Sequence, residues 1–184
     1  MSKLLSPHSS RFSRPAGTTS QADAVPARFK NGSPAELLAD MKAIVGAENV
    51  HGRLSDLVRF SSDAGPYRSI PNIVVSPRNA ADLSALMKYC DTHDRHLTFR
   101  AAGTSLNGQA MGDDILVDVK THFGGMEVRE EGRKLWSRPG VILGDAQAVL
   151  SRHGFMLGPD PGSTSVCTIG GVLADNSGGM RCSL

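Results

Sequence analysis

Residues 100 to 110, RAAGTSLNGQA, place two glycines, a Thr-Ser pair, an Asn and a Gln directly after the run HLTF. Gly103 and Gly108 can take positive φ, which turns successive backbone N–H groups toward one point and makes an anion nest. The Thr104 and Ser105 hydroxyls add donors. Such a loop suits a phosphate or pyrophosphate neutralised by backbone dipoles instead of by lysine. It lacks the Gly-Lys-Ser/Thr ending of a nucleotide-hydrolysing loop and the GxGxxG spacing of a dinucleotide fold, so it carries neither signature. Taken alone, it reads equally well as a surface loop.

A second stretch, GPDPGSTSVCTIGGVLADNSGG (158–179), shifts that balance. It is too rich in Gly and Pro for a core element, yet Val166, Ile169, Val172 and Leu173 are too apolar for a solvated linker. A backbone stiffened at Pro159 and Pro161 and bare at Gly170 and Gly171 fits against a flat ring. Its N–H groups and the Thr168 hydroxyl would then face polar atoms, as in a slot for a large planar cofactor.

The elements that must position these stretches follow from periodicity. SPAELLADMKAIVG (33–46) predicts an amphipathic helix with Ser33 as cap, Pro34 in the first turn and Leu37, Leu38, Met41, Ile44 and Val45 on one face. PNIVVSP (71–77) predicts a strand. Asn79 then caps a helix with Leu83, Leu86, Met87 and Cys90 inward. HLTFR (96–100) and DILVDV (114–119) predict two more strands. Strand, helix, strand at this spacing implies a parallel pair with a right-handed crossover, so the first loop leaves the carboxyl end of a parallel strand, where open α/β sheets bind ligands. GRKLWSRPGVILG (132–144) predicts a strand pair or bent strand, and DAQAVLSRHG (145–154) a short helix ended by Gly154.

Other chemistry-bearing residues have blander readings. His93, His96, His122 and His153 lack ligand spacing to one another or to Cys and Glu, which leaves them surface or cap roles. Asp113 and Asp114 are adjacent and point to opposite faces, which argues against a catalytic carboxylate pair. Asp160 reads as a turn residue, Cys167 as a small buried side chain and Trp136 as core or surface. Cys90, Cys167 and Cys182 are odd in number with no CxxC, arguing for a reducing compartment and against zinc.

Charge is uneven along the 184 residues. The first 30 carry five Lys or Arg against Asp23 alone, and the remainder has fifteen basic against seventeen acidic residues. A basic excess confined to a Ser/Pro-rich leader argues against nucleic acid. The leader reads as disordered, although transit peptides share its composition, and no stretch reaches a membrane span of about 18 apolar residues. The expected location is cytoplasmic, at most peripheral to the inner membrane.

RAAGTSLNGQA together with PDPGSTSVCTIGGVLADNSGGMRC resembles the FAD-binding domain of the vanillyl-alcohol oxidase and p-cresol methylhydroxylase superfamily. SSDAGPYR (61–68) and PNIVVSPRNAADLSALMKYC (71–90) also sit where that family has its lead-in and first strand-helix unit. The branch it is most similar to is the D-lactate dehydrogenase and glycolate oxidase type, the FAD-linked D-2-hydroxyacid dehydrogenases. The resemblance covers roughly residues 50 to 182.

It implies an α+β fold, a small βαβ parallel subdomain followed by the start of a second, mainly antiparallel one. Domains would be a disordered leader (1–32), a helical lead-in (33–69) and an incomplete FAD-binding domain (70–184). Ala102, Gly103, Thr104, Ser105 and Leu106 would wrap the FAD pyrophosphate, with Asn107, Gly108 and Gln109 completing the turn. Pro161, Gly162, Ser163, Thr168, Ile169, Gly170, Gly171, Ala174, Asn176, Gly178 and Gly179 would line the flavin and ribityl side. Relatives with histidyl-linked flavin carry His where Thr104 stands, so the FAD is expected to be non-covalent.

The implied activity is oxidation of D-lactate or a related D-2-hydroxyacid by hydride transfer to flavin, with an unidentified electron acceptor. The family's substrate domain, catalytic residues, metal ligands and iron–sulfur cysteines have no counterpart among these residues. The chain is therefore expected to be an N-terminal fragment, inactive alone and binding its 2-hydroxyacid only with the remaining part or a partner chain. A non-catalytic FAD-binding subunit and a flavoenzyme like UDP-N-acetylenolpyruvylglucosamine reductase are the alternatives.

Overall fold

The computed structural model describes residues 25–180, so the reading of residues 1–24 and the position of Cys182 lie outside the described residues. A four-stranded sheet is the organising element. Its strands are β1 (Val50–His51), β2 (Ile73–Val75), β3 (Leu97–Arg100) and β4 (Ile115–Asp118), in the spatial order β1-β2-β4-β3. The pairs β2–β4 and β3–β4 are parallel, and β1 runs antiparallel at the edge. The strand-helix-strand unit is thus parallel as expected, but its strands are not neighbours: β4 lies between β2 and β3.

That insertion explains the composition of β4. It is buried along its whole length, with Ile115, Leu116 and Val117 all nearly inaccessible, as are Ile73, Val74 and Val75 of β2. Strands covered on both faces read as continuous apolar runs. On one face, Ile73, Val75, Ile115 and Val117 pack against α1 (Ala35–Val45) and α3 (Ala80–Thr92) through Leu37, Met41, Val45, Leu86 and Cys90. On the other, Val74 and Leu116 meet Phe29 and Leu57, the latter from α2 (Leu54–Arg59).

Order therefore starts before Ser33. Phe29, placed in the expected leader, is 1% exposed and fills the second face of the sheet. Ser33 does not cap α1: Pro34 occupies the cap position, while the Ser33 N–H donates to Gly52 O at 2.8 Å. Asn79 does cap α3, accepting from the N–H groups of Ala81 at 2.9 Å and Asp82 at 3.0 Å. Asp82 adds a second lock, taking the Arg78 backbone N–H and its guanidinium fork. Met87, expected inward, is 56% exposed.

Beyond the sheet, β5 (Met126–Arg129) and β6 (Lys134–Ser137) form an antiparallel hairpin, not a pair within 132–144 as expected. Its turn passes through Glu130 and Glu131 in the left-handed region and Gly132 at φ +99°. Helix α4 (Leu143–Ser151) follows, and Gly154 at φ +78° ends its closing turn. The second glycine-rich stretch contains a helix the pattern did not predict, α5 (Ile169–Asp175), packed through Val172 onto Leu143 and Cys167.

Candidate functional site

The first loop leaves β3 at the carboxyl edge of the parallel strands, as its position in the sequence implies. Gly103 at φ +70° and Gly108 at φ +83° supply its two left-handed turns. The Ser105 hydroxyl bonds the Gln109 side chain and accepts the Asn107 N–H, closing the tip. Segment 61–68 braces the loop from behind. The Ala64 N–H donates to Ser105 O at 3.0 Å, and Gly65 lies so close that a Cβ there would sit 2.4 Å from Leu106 O.

Because a trans peptide sets C=O and N–H on opposite sides, turning the Ser105 carbonyl toward Ala64 sends the Leu106 N–H the other way. Among the described residues, the N–H groups of Gly103, Thr104, Ser105 and Leu106 have no acceptor within the chain. N–H groups left without a chain acceptor on a partly exposed, stapled loop are free to donate to an anion. The residues present therefore fit a pyrophosphate.

The second stretch is held by its own network. Thr164 donates to Pro161 O at 2.6 Å and reaches Asp160 Oδ1 at 3.4 Å, so Asp160 is a turn residue. A Cβ on Gly179 would sit 2.3 Å from Asp160 O, which closes the two ends of the stretch on each other. Thr168, 1% exposed, caps α5 by accepting the Gly171 N–H at 3.2 Å, and the Gly170 N–H donates to Pro139 O at 2.9 Å. These groups are engaged inside the chain instead of facing outward as donors. Gly162 has open space around it, and a Cβ on Gly171 would meet only Thr168 Oγ1 at 3.4 Å. Asn176 takes the left-handed position (φ 52°) that ends α5, and Ala174, Asn176, Gly178 and Gly179 lie on the exposed side.

One joint brings the two stretches together. A Cβ on Gly140 would lie 2.7 Å from Phe123 O and 2.9 Å from both Lys120 O and Val119 O, just past the carboxyl end of β4. Pro139, its neighbour, carries Gly170 at the start of α5, and Ile142 bridges Thr168. The Val119 N–H donates to Arg100 O at 2.9 Å, at the mouth of the first loop. Both glycine-rich stretches thus converge on the carboxyl edge of β3 and β4.

The remaining candidates take structural roles. His96 Nε2 lies 2.8 Å from Asp113 Oδ1, and Asp114 pairs with Arg95 at 2.6 Å while accepting from Asn72, all at the opposite, amino end of β4. His122 Nε2 lies 2.8 Å from Asn49 Oδ1, and His93 Nδ1 2.9 Å from Tyr89 O. Cys90 and Cys167 are buried thiols, and desolvation pushes the Cys90 thiol up from its ordinary pKa. Among the described residues, no group of three or more His, Cys, Asp or Glu could hold a metal ion.

Two residues near the site were not singled out by pattern. The amide of Gln147 mimics a backbone ladder, donating to Leu157 O and accepting the Leu157 N–H, both at 2.9 Å, and so fixes the entry to the second stretch. Arg100 closes β3 directly beneath the first loop. Its signal was a cation immediately before the glycine-rich loop.

Comparison with known proteins agrees with this geometry. The model of the FAD binding domain family matches residues 71–184. The chain is 33% identical over 141 residues to a protein named glycolate oxidase subunit GlcD from Bacillus subtilis, covering 75% of this chain and 30% of that protein. It is 30% identical over 131 residues to a D-lactate dehydrogenase of Archaeoglobus fulgidus, covering 69% and 29%. It therefore spans under a third of the length of these relatives. Among solved structures, alkyldihydroxyacetonephosphate synthase superposes with a TM-score of 0.68 at 15% identity, covering 83% of this chain and 33% of that one. For p-cresol methylhydroxylase the TM-score is 0.66 at 16% identity, over 77% and 29%. The match over residues 71–184, with the two glycine-rich stretches and the parallel strands beneath them inside it, shows that the chain belongs to the FAD binding domain family.

Proposed function

We propose that this chain supplies the FAD cradle of an oxidoreductase that oxidises D-lactate or a related D-2-hydroxyacid. What supports it is that the first loop, whose Gly103 to Leu106 N–H groups have no acceptor among the described residues, and the Gly170 end of α5, through Pro139 and Gly140, both join the carboxyl edge of β3 and β4. The first loop, Ala102 to Gln109, holds the pyrophosphate. The stretch from Pro161 to Gly179 offers low, glycine-lined relief to the flavin and ribityl side. Bound FAD supplies the acceptor for the substrate's α-hydride. Thr104 at the position of a linking His leaves the cofactor dissociable.

Relatives named for glycolate, D-2-hydroxyglutarate and D-lactate support the substrate class. The chain spans under a third of these relatives, and the residues assigned here account for the cofactor and not for the hydroxyacid. The partner-chain reading is favoured by the Bacillus relative being named a subunit. Among the described residues no helix is long and apolar enough to cross a membrane, which fits a cytoplasmic protein working at most at a membrane surface.

The test is anaerobic mixing of the FAD-loaded chain with D-lactate, glycolate or D-2-hydroxyglutarate, following loss of flavin absorbance. The chain alone should show none, and addition of the complementary portion should bring bleaching that, for lactate and 2-hydroxyglutarate, is specific for the D-enantiomer. Bleaching by a nicotinamide hydride donor and by no hydroxyacid would favour the enolpyruvyl reductase alternative and sink this reading.

A further inference from the structure

Arg100 is a cation with no carboxylate of the described residues within ion-pair distance. Its Nη1 donates to Ser62 O at 2.8 Å and Ala110 O at 3.2 Å, with Phe60 O at 3.5 Å, and its guanidinium lies 5.4 Å from the Phe60 ring centroid. Gly103 rests on its other side, since a Cβ there would sit 2.4 Å from Nη2 and 2.6 Å from Cζ. Among the described residues no carboxylate forms an ion pair with it; Asp63 and Asp118 act on it only from a distance. Asp63 Oδ1 takes the Gly65 N–H while its buried Oδ2 has no hydrogen-bond partner, and Asp118 is engaged by Ser76, Lys120 and Thr121.

A clamp across three carbonyls needs donors, not a charge, and a partly buried charge without an ion partner carries a desolvation cost. Here the cost is compounded, because the N–H groups of Gly103 to Leu106 present further positive dipole ends beside the same cation. The cation and these dipole ends share one sign, opposed among the described residues only by Asp63 and Asp118 beyond ion-pair distance, and an anion seated in the loop adds to that relief. We propose that Arg100 is a positioning residue and partly buried counter-charge for the FAD pyrophosphate, acting through the backbone of Gly103 without touching it. The inference rests on the reading of residues 102–109 as the pyrophosphate cradle.

The test combines two measurements on the full chain. Backbone amide spectra of the wild type, recorded during titration with FAD, report whether the signals of Gly103 to Leu106 shift. FAD dissociation constants at low and high salt are then compared for wild type, Arg100→Met and Arg100→Lys, with melting temperatures measured without ligand. Arg100→Met should bind FAD about tenfold or more weakly at low salt and lose part of the salt dependence. Arg100→Lys should melt lower, having lost the carbonyl fork, yet keep the wild-type salt dependence. If the loop amides ignore FAD, the cradle reading fails and takes this inference with it. If they respond while Arg100→Met keeps the wild-type affinity and salt dependence, the counter-charge alone is overturned. Should Arg100→Met not fold, Arg100→Lys decides: a flattened salt dependence despite its retained charge refutes the proposal.

Discussion

Adjacent glycines at the start of α5 should respond in opposite ways to the same methyl group. At Gly170 a Cβ would lie 2.5 Å from Pro139 Cβ and 2.9 Å from Pro139 O, in a backbone held by the joint at Gly140. Overpacking against groups that cannot swing away costs about 3 kcal/mol, offset by up to about 1 kcal/mol for alanine's better helix propensity. A net loss of about 2 kcal/mol lowers the melting temperature by about 4–8 °C in a chain of this size. At Gly171 the methyl would meet only Thr168 Oγ1 at 3.4 Å, an ordinary contact, so Gly171→Ala should leave stability unchanged or raise it slightly. That same methyl would rise from the surface assigned to the flavin side, and FAD affinity should fall about tenfold or more. Thermal melts of both variants, with FAD titration of Gly171→Ala, give the readout. A Gly170→Ala protein as stable as wild type refutes the packing argument. A Gly171→Ala protein with wild-type affinity removes this backbone from the cofactor surface.

Two further outcomes follow from the core and its locks. Phe29→Ala empties a site that is 1% exposed beneath Val74 and Leu116, costing about 3–5 kcal/mol, so the melting temperature should drop by more than about 6 °C; no change would mean that the segment before Ser33 does not belong to the domain. Asp82 is held below its ordinary pKa chiefly by its hydrogen bond with the Arg78 side chain. Its contribution is complete above the unfolded value of about 4 and lost as pH falls through the lower folded value, so Asp82→Asn should flatten that part of the acid limb in pH-dependent melts. An acid limb of unchanged steepness would contradict the assignment.

The sheet was legible where side chains act locally. Asn79 announces α3 because its amide oxygen can satisfy two N–H groups by itself, and Ile73–Val75 and Ile115–Val117 announce strands covered on both faces. The spatial order was not legible, since nothing in 71–119 states that β4 inserts between β2 and β3. Strand β5 escaped notice because Met126–Arg129 alternates half-buried with exposed residues and holds one β-branched side chain; its conformation comes from pairing with β6. Helix α5 was hidden by Gly170 and Gly171, which weaken intrinsic helicity, while tertiary contact demands them: Pro139 leaves no room for a side chain at 170. Ser33 shows the converse, a good cap residue displaced when its N–H was claimed by Gly52.

The candidate site divides the same way. Glycine spacing marked the first loop, and its two left-handed turns stand at Gly103 and Gly108. The donors were harder to read. Thr168 and Gly170 looked like groups facing a ligand, yet the fold spends them on the cap of α5 and the link to Pro139. Arg100 was passed over because its partners are backbone carbonyls 10 to 40 residues away.

The central claim is that this chain carries an intact cradle for FAD, and the most direct measurement is equilibrium titration of the purified chain with FAD, following flavin fluorescence and thermal stability together. The account predicts saturable binding and a melting temperature that rises with FAD concentration, as linkage requires of a ligand that prefers the folded state. A cooperative melt that FAD does not move, with flavin fluorescence unchanged across the titration, would contradict it.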